Sequence, residues 1–320
     1  MARSAPSFSS FTAGEISPRL EGRTDLEKYS QGLSDLTNMV VMPHGGVTRR
    51  PGTEFLGQCA SSSNNIRLIP FQFKTSDTYI LEFSNLKMRV YRNGQQVLSS
   101  TSYPITGAAQ DGNRFKITSS SSPQTAFGSG GQEIFITGVG GMTELNDRNY
   151  TVGGNPQPTS TQFVLEDLFG SVIDGSNFTS YTSGGTVTEI YEKTTPYGSG
   201  FLQDLRFAQS ADTMYICHPS FAVRTLTRSD HNNWTFATVS FTENSTPTLS
   251  SSNNYPSAVT FFEQRLVFAN TNNNPQTLWF SKNGDYDNFT TGTGDDDALI
   301  YTIASNQVNA IRSLSATRVL

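Results

Sequence analysis

The sequence is short of the groups on which most enzymes, metal proteins and nucleic-acid binders depend. Its 320 residues include two cysteines, Cys59 and Cys217, far apart and in unlike contexts. Neither a disulfide framework nor a zinc site is indicated, and two reduced thiols are expected. The three histidines, His44, His218 and His231, have no carboxylate or nucleophile at a motif spacing, so structural or exposed histidines are expected. Charged residues make up 15% of the chain, with a net charge of −5 and a pI near 5.3. That balance argues against a protein that grips nucleic acid through its phosphates, which takes a basic patch, but leaves room for a channel through which DNA slides. No segment approaches the length of a membrane span, and MARSAPSFSS lacks an apolar signal core. The expectation is a soluble chain made in a cytoplasm, with no membrane insertion.

Serine, threonine, asparagine, glutamine and glycine fill the space. Hydrophobic content is 35%, and aromatics reach 11% with 22 Phe and 12 Tyr, a profile of many short strands and polar loops. The length allows two domains and a sizeable core. The fold class expected is mostly β: an antiparallel meander or propeller-like platform, an inserted small β-barrel or sandwich, and an extended N-terminal arm containing a short helix.

The arm and docking segment take residues 1–65. Its apolar anchors, Phe11, Ile16, Leu20, Leu26, Tyr29, Leu33, Leu36 and Met39, are too thinly spread to bury a core of their own, so it must lie on something else. Pro18 and Gly22 break any helix before Arg23, whereas Thr24 to Tyr29 carries helix-start signals and predicts a helix from about Asp25 to Leu36. His44-Gly45-Gly46 and Arg50-Pro51-Gly52 read as tight turns around a short strand.

Residues 66–102 read as the first part of the platform. IRLIPFQF (66–73), TYILEF (78–83) and LKMRVY (86–91) alternate as strands and close at Asn93-Gly94 before QQVL. A similar pattern returns at 204–226 and more loosely at 258–281, with Trp234 and Trp279 as terminal aromatics, so residues 191–320 continue a platform of blades or packed meanders. Between them, 103–190 is rich in Ser, Thr and Gly, with strands at NRFKITS, QEIFITGV, NYTV, TQFVLED and GTVTEI. It reads as a small β domain inserted into a loop of its parent.

Two resemblances bear on these segments. GEISPRLEGRTDLEKY, then GGVTRRPGTEFLG, within residues 11–57 and continuing into LIPFQFKTSDTYILEF, resembles the N-terminal signature of the tail nozzle proteins of short-tailed bacteriophages, also called tail tubular protein B or phage stabilisation proteins. YPSAVTFFEQRLVFANTNNNPQTLWFSKNGDYDNF and DDDALIYTIASNQVNAIRSL resemble that family's later blades. The resemblance implies a virion structural protein: a hexameric ring below the portal adaptor that retains the genome and conducts it during ejection. Implied partners are the adaptor, tail fibres or tailspikes, and DNA that passes through the lumen without specific binding. Residues 103–190, with GMTELN at their centre, resemble a small β-module of phage structural proteins related to the first catalytic cysteine half-domain of ubiquitin-activating enzymes. The module has no cysteine here and implies no activity.

Candidate sites follow from charge. Arg19, Arg23, Asp25, Lys28, Tyr29, Arg49 and Arg50 suit an arm that orders on a neighbouring subunit or on the adaptor. GDYDNFTTGTGDDDA (284–298) lacks the spacing of a calcium-binding hand, so Asp295, Asp296 and Asp297 read as a solvated acidic loop on a lumen or rim. The glycine-rich runs GSGGQ and GVGGM end in strands and cradle no phosphate. No paired carboxylates can be singled out as catalytic; no enzyme activity, cofactor or metal is expected. The alternative function is a receptor- or carbohydrate-binding β-protein of the tail. QVNAIRSLSATRVL stops inside an alternating series, Val308, Ile311, Leu314 and Val319, which reads as part of a longer protein or one member of a split pair.

Overall fold

The structure, a computed structural model of the chain, describes residues 8–60, 63–244, 246–249, 251, 253–305, 307 and 309–316. Val308 and Val319 of the C-terminal series lie outside the described residues. The protein is mostly β, built from antiparallel sheets and a closed barrel with few helices. It divides into two units, residues 1–55 and 56–320.

In the first unit, Gly14 and Glu15 pair in parallel with Gly32 and Leu33, and Met39–Val41 forms a hairpin with Val47–Arg49. The hairpin turns at His44-Gly45-Gly46, where Gly45 takes φ +102° and its N–H donates to Met42 O at 3.0 Å. Arg50-Pro51-Gly52 leaves the hairpin as irregular chain rather than as a second tight turn.

The helix expected over Asp25–Leu36 is corrected to a 3-10 turn over Glu27–Gln31, capped at Leu26. The parallel pair prevails over the helix signals. Ala13 N–H donates to Gln31 O (3.2 Å) and Ile16 N–H to Leu33 O (3.0 Å), bonds that a continuing helix would forfeit. Gly32 permits the approach, because a Cβ there would sit 2.6 Å from Ile16 Cγ2.

In the second unit, β1 (Arg67–Lys74), β2 (Asp77–Ser84) and β3 (Lys87–Arg92) form the expected meander. The chain then enters the barrel through β4 (Leu98–Asp111), whose strand already runs before Tyr103. It continues through β5 (Arg114–Ser119), β6 (Glu133–Gly140), β7 (Arg148–Val152), β8 (Gln162–Glu166) and β9 (Ser183–Ile190). The six strands close in the order β5-β8-β7-β6-β9-β4. Closure follows from alternation: in β5, Phe115 and Ile117 turn inward beside Ile134, Ile136, Leu165 and Val187, and closure leaves no unpaired edge.

After the barrel, β10 (Glu192–Thr194) returns to β3 and completes the first sheet, which also holds the short Gln95–Gln96 strand on β3, so the barrel is inserted within that sheet. The second sheet is β11 (Arg206–Ser210), β12 (Thr213–His218), β13 (Phe221–Asp230) and β14 (Asn233–Thr238). The third is β15 (Ala258–Phe262), β16 (Arg265–Ala269), β17 (Thr277–Phe280) and β18 (Leu299–Thr302). Each follows chain order as a four-stranded antiparallel meander.

The sheets stack face to face. Met214, Ile216 and Trp234 of the second pack on Ile69, Phe71 and Leu81 of the first, while Tyr215, Cys217 and Val223 pack on Leu266, Phe268 and Trp279 of the third. β12 is therefore buried on both faces, which accounts for its unbroken apolar run MYIC. Both tryptophans anchor sheet interfaces, and each indole N–H is satisfied: Trp234 donates to His231 O at 2.8 Å and Trp279 to Pro247 O at 3.0 Å.

Candidate interaction surfaces

The first unit has secondary structure but no core. Among its described residues only Gly45 is buried; every apolar anchor from Phe11 to Met39 remains partly or fully exposed. Arg19, Arg23, Asp25, Lys28, Arg49 and Arg50 are exposed, and Tyr29 is half-buried with its hydroxyl accepting from Gly22 N–H at 3.0 Å. Arg23 and Asp25 pair bidentately, through Nε–Oδ1 at 2.7 Å and Nη2–Oδ2 at 2.6 Å. Their charges are thereby spent on each other, and the pKa of Asp25 is lowered, chiefly by that hydrogen bond. The seven candidate arm residues thus split into one internal pair, four cations, Arg19, Lys28, Arg49 and Arg50, and Tyr29, which holds the turn at Gly22.

The acidic loop is tied down. Arg265 Nη1 donates to Ser281 O (2.7 Å) and Asp297 O (2.6 Å), and its Nη2 to Asp295 O (2.8 Å). Lys282 Nζ lies 3.4 Å from Asp296 and 3.5 Å from Asp297. Asp297 also accepts from Gly294 N–H at 2.9 Å, the first of the contacts that lower its pKa. Asp295 and Asp296 stay exposed, and the loop carries less local negative charge than its three aspartates suggest.

The histidines have packing roles or are exposed. His231 Nδ1 meets Tyr79 OH at 2.6 Å, His218 is buried and accepts from Ser220 N–H at 3.0 Å, and His44 is exposed. Cys217 is a buried free thiol.

Two features were not anticipated from the sequence. One is a buried polar hub where the barrel meets the first sheet. Arg89, 5% exposed, donates to Gln58 O (3.0 Å), to Glu133 Oε2 (2.5 Å) and, from Nε and Nη2, to Glu192 Oε1 (2.9 and 2.7 Å). Asn149 of β7 bridges Glu133 Oε1 (2.9 Å) and Gln96 Oε1 (2.6 Å). Glu82 accepts from Tyr91 OH (2.6 Å) and Ala60 N–H (2.9 Å). Burial raises the pKa of Glu133 above the usual carboxyl range and prevails over the guanidinium beside it. At Glu192 burial acts in the same direction, but Lys87 and Arg89 outweigh it and the pKa falls. A sequence signal existed, since Glu82 and Arg89 stand mid-strand among apolar neighbours.

The other is the outward face of the third sheet. Leu278 lies opposite Tyr301 and Phe280 opposite Leu299, and Leu299 and Tyr301 are 52% and 61% exposed. The outward face of the first sheet differs: Leu68 and Ile80 are exposed, but Glu82, Arg89 and Glu192 on the same side belong to the hub. The sheet stack is thus sealed by polar groups at one end and apolar at the other. No protein-family profile matches the chain, and no curated protein matches it.

Proposed function

We propose that this chain is a structural subunit of the short tail of a bacteriophage, the nozzle. It assembles below the portal adaptor, by docking, into a ring that holds the packaged genome and then conducts it during ejection. The observation that carries the reading is the first unit. The residues that resemble the nozzle signature fold into two strand pairs and two 3-10 turns that bury almost nothing. Ordered backbone without a core needs a surface supplied from outside, because burial rather than local hydrogen bonding offsets the entropy of ordering it. The apolar end of the sheet stack asks for a neighbour in the same way. The proposed partners are further copies of this chain, the adaptor, and tail fibres or tailspikes, and the proposed location is the virion.

The test is symmetry. The purified chain, alone and with the adaptor, is imaged by negative stain and weighed by light scattering. Six-fold rings support the reading, and a trimer or a persistent monomer under both conditions overturns it.

A further inference from the structure

A groove of about 710 Å³ opens between β4, β5 and the segment around Phe178–Tyr181, where the core residues Ala108 and Met142 also line it. Its floor follows from strand alternation: Ala108, Phe115 and Ile117 fill the core, so Gly107 and Ala109 of β4 and Lys116 and Thr118 of β5 turn outward. Gly107 lies opposite Thr118 and Ala109 opposite Lys116, and the small Gly107 and Ala109 keep the β4 side of the floor low.

The aromatic rim is fixed. Tyr181 OH bonds Ile105 O and Gly184 O at 3.0 and 3.1 Å, and the Phe178 ring packs on Phe115 with centroids 5.7 Å apart. Lys116 is paired with Asp111 at one end of the groove. Gln162 Nε2 reaches Thr118 Oγ1 at 3.3 Å, and among the described residues Gln162 Oε1 and Ser180 Oγ have no intramolecular hydrogen bond.

We propose that this groove binds a neutral oligosaccharide. Two held aromatic side chains offer apolar surface for the C–H faces of a sugar, and a side-chain amide and hydroxyls supply donors and acceptors for its hydroxyl groups. Other ligand classes fit worse. A nucleic acid needs unspent cations, and Lys116 is neutralised by Asp111. A peptide bound by strand addition needs a free stretch of strand edge, and the segment before β9 already reaches β4 there, through Tyr181 OH to Ile105 O and Gly175 N–H to Gln110 Oε1.

The full chain is titrated by calorimetry and ligand-observed NMR against a panel of neutral oligosaccharides built from glucose, galactose and N-acetylglucosamine. At least one member binds in the micromolar to millimolar range, roughly the span of a small polar site. Ala109→Trp, which fills the floor, abolishes that binding, and Gln162→Ala weakens it about tenfold, with circular dichroism unchanged in both. Binding by no member overturns the proposal, as does binding that Ala109→Trp leaves intact, or binding confined to sulfated sugars and lost in salt. Should Ala109→Trp misfold, Gln162→Ala and Thr118→Val decide the matter in the same assay. Every residue lining the groove belongs to the barrel domain, so the outcome is independent of ring assembly.

Discussion

Arg89 spends its donors on two carboxylates and a backbone carbonyl inside the protein, so what it stabilises is best measured by removing it. Arg89→Met leaves the buried Glu133 without its cation, while Glu192 keeps Lys87, and the expected loss in urea unfolding is about 3–5 kcal/mol. Adding Glu133→Gln and Glu192→Gln to the same chain should recover much of that loss; a single-variant loss near 1 kcal/mol or less, the value of an exposed pair, would show the hub to be solvated. Asp77 provides a pH test. Hydrogen bonds from Arg92, then Lys74, lower its pKa from the ordinary 3.8 to about 2. A carboxyl depressed on folding contributes stability that is full above 3.8 and disappears as pH falls through about 2. The difference in melting temperature between wild type and Asp77→Asn should therefore be constant near neutral pH, shrink below about pH 4 and close near pH 2. A gap that persists at the acid end would mean the aspartate acts through packing.

At the scale of elements, the insertion point makes a prediction that the barrel is separable. Leu98 and Ile190 pair with each other, so the barrel's entry and exit strands lie side by side and residues 98–190 contain its whole core. Expressed alone, this segment should unfold in one cooperative step by circular dichroism; a gradual, non-cooperative loss of signal would mean that it needs the hub. The arm should be separable too. Cutting after Phe55 keeps Gln58 O on Arg89 and Ala60 N–H on Glu82, so residues 56–320 should melt like the full chain while forming no rings. How legible these elements are depends on period. Strands such as β1 and β5 alternate because one face is buried, and their sequences place them within a residue or so. The helix signals at Thr24–Tyr29 are local, and a pairing with Gly14 and Glu15 displaced them. β10 has three residues and no pattern of its own; only its register against β3 defines it. The hub was only half legible for the same reason: Glu82 and Arg89 face each other across β2 and β3 as mid-strand charges, but Glu133 and Glu192 reach them from β6 and β10, on and after the barrel.

At the scale of the whole molecule, a ring that conducts DNA must let the duplex pass without capture, because each phosphate neutralised by Lys or Arg adds salt-dependent affinity. A net charge of −5 favours passage, and several cations are already engaged: Arg89, Lys116 and Lys282 pair with carboxylates, and Arg265 holds the backbone of the acidic loop. The assembled ring is therefore expected to show no measurable duplex affinity by fluorescence anisotropy at physiological salt, and tight, salt-sensitive binding would overturn the passive conduit. Whether the acidic loop faces the lumen is tested by charge reversal, and the hydrogen bonds dictate which residues to change. Asp297 caps Gly294 N–H, so replacing it would disturb the loop itself, whereas Asp295 and Asp296 are exposed, Asp296 meets Lys282 only at the surface, and Arg265 holds the chain there through the carbonyl of residue 295. Asp295→Lys with Asp296→Lys changes the local charge by +4, from two carboxylates to two ammonium groups, while leaving Asp297 and the Arg265 clamp in place. If the loop lines the lumen, the variant ring gains salt-dependent duplex affinity and ejection slows in proportion. Ejection at the wild-type rate, with no gain in affinity, would put the loop on the outer face.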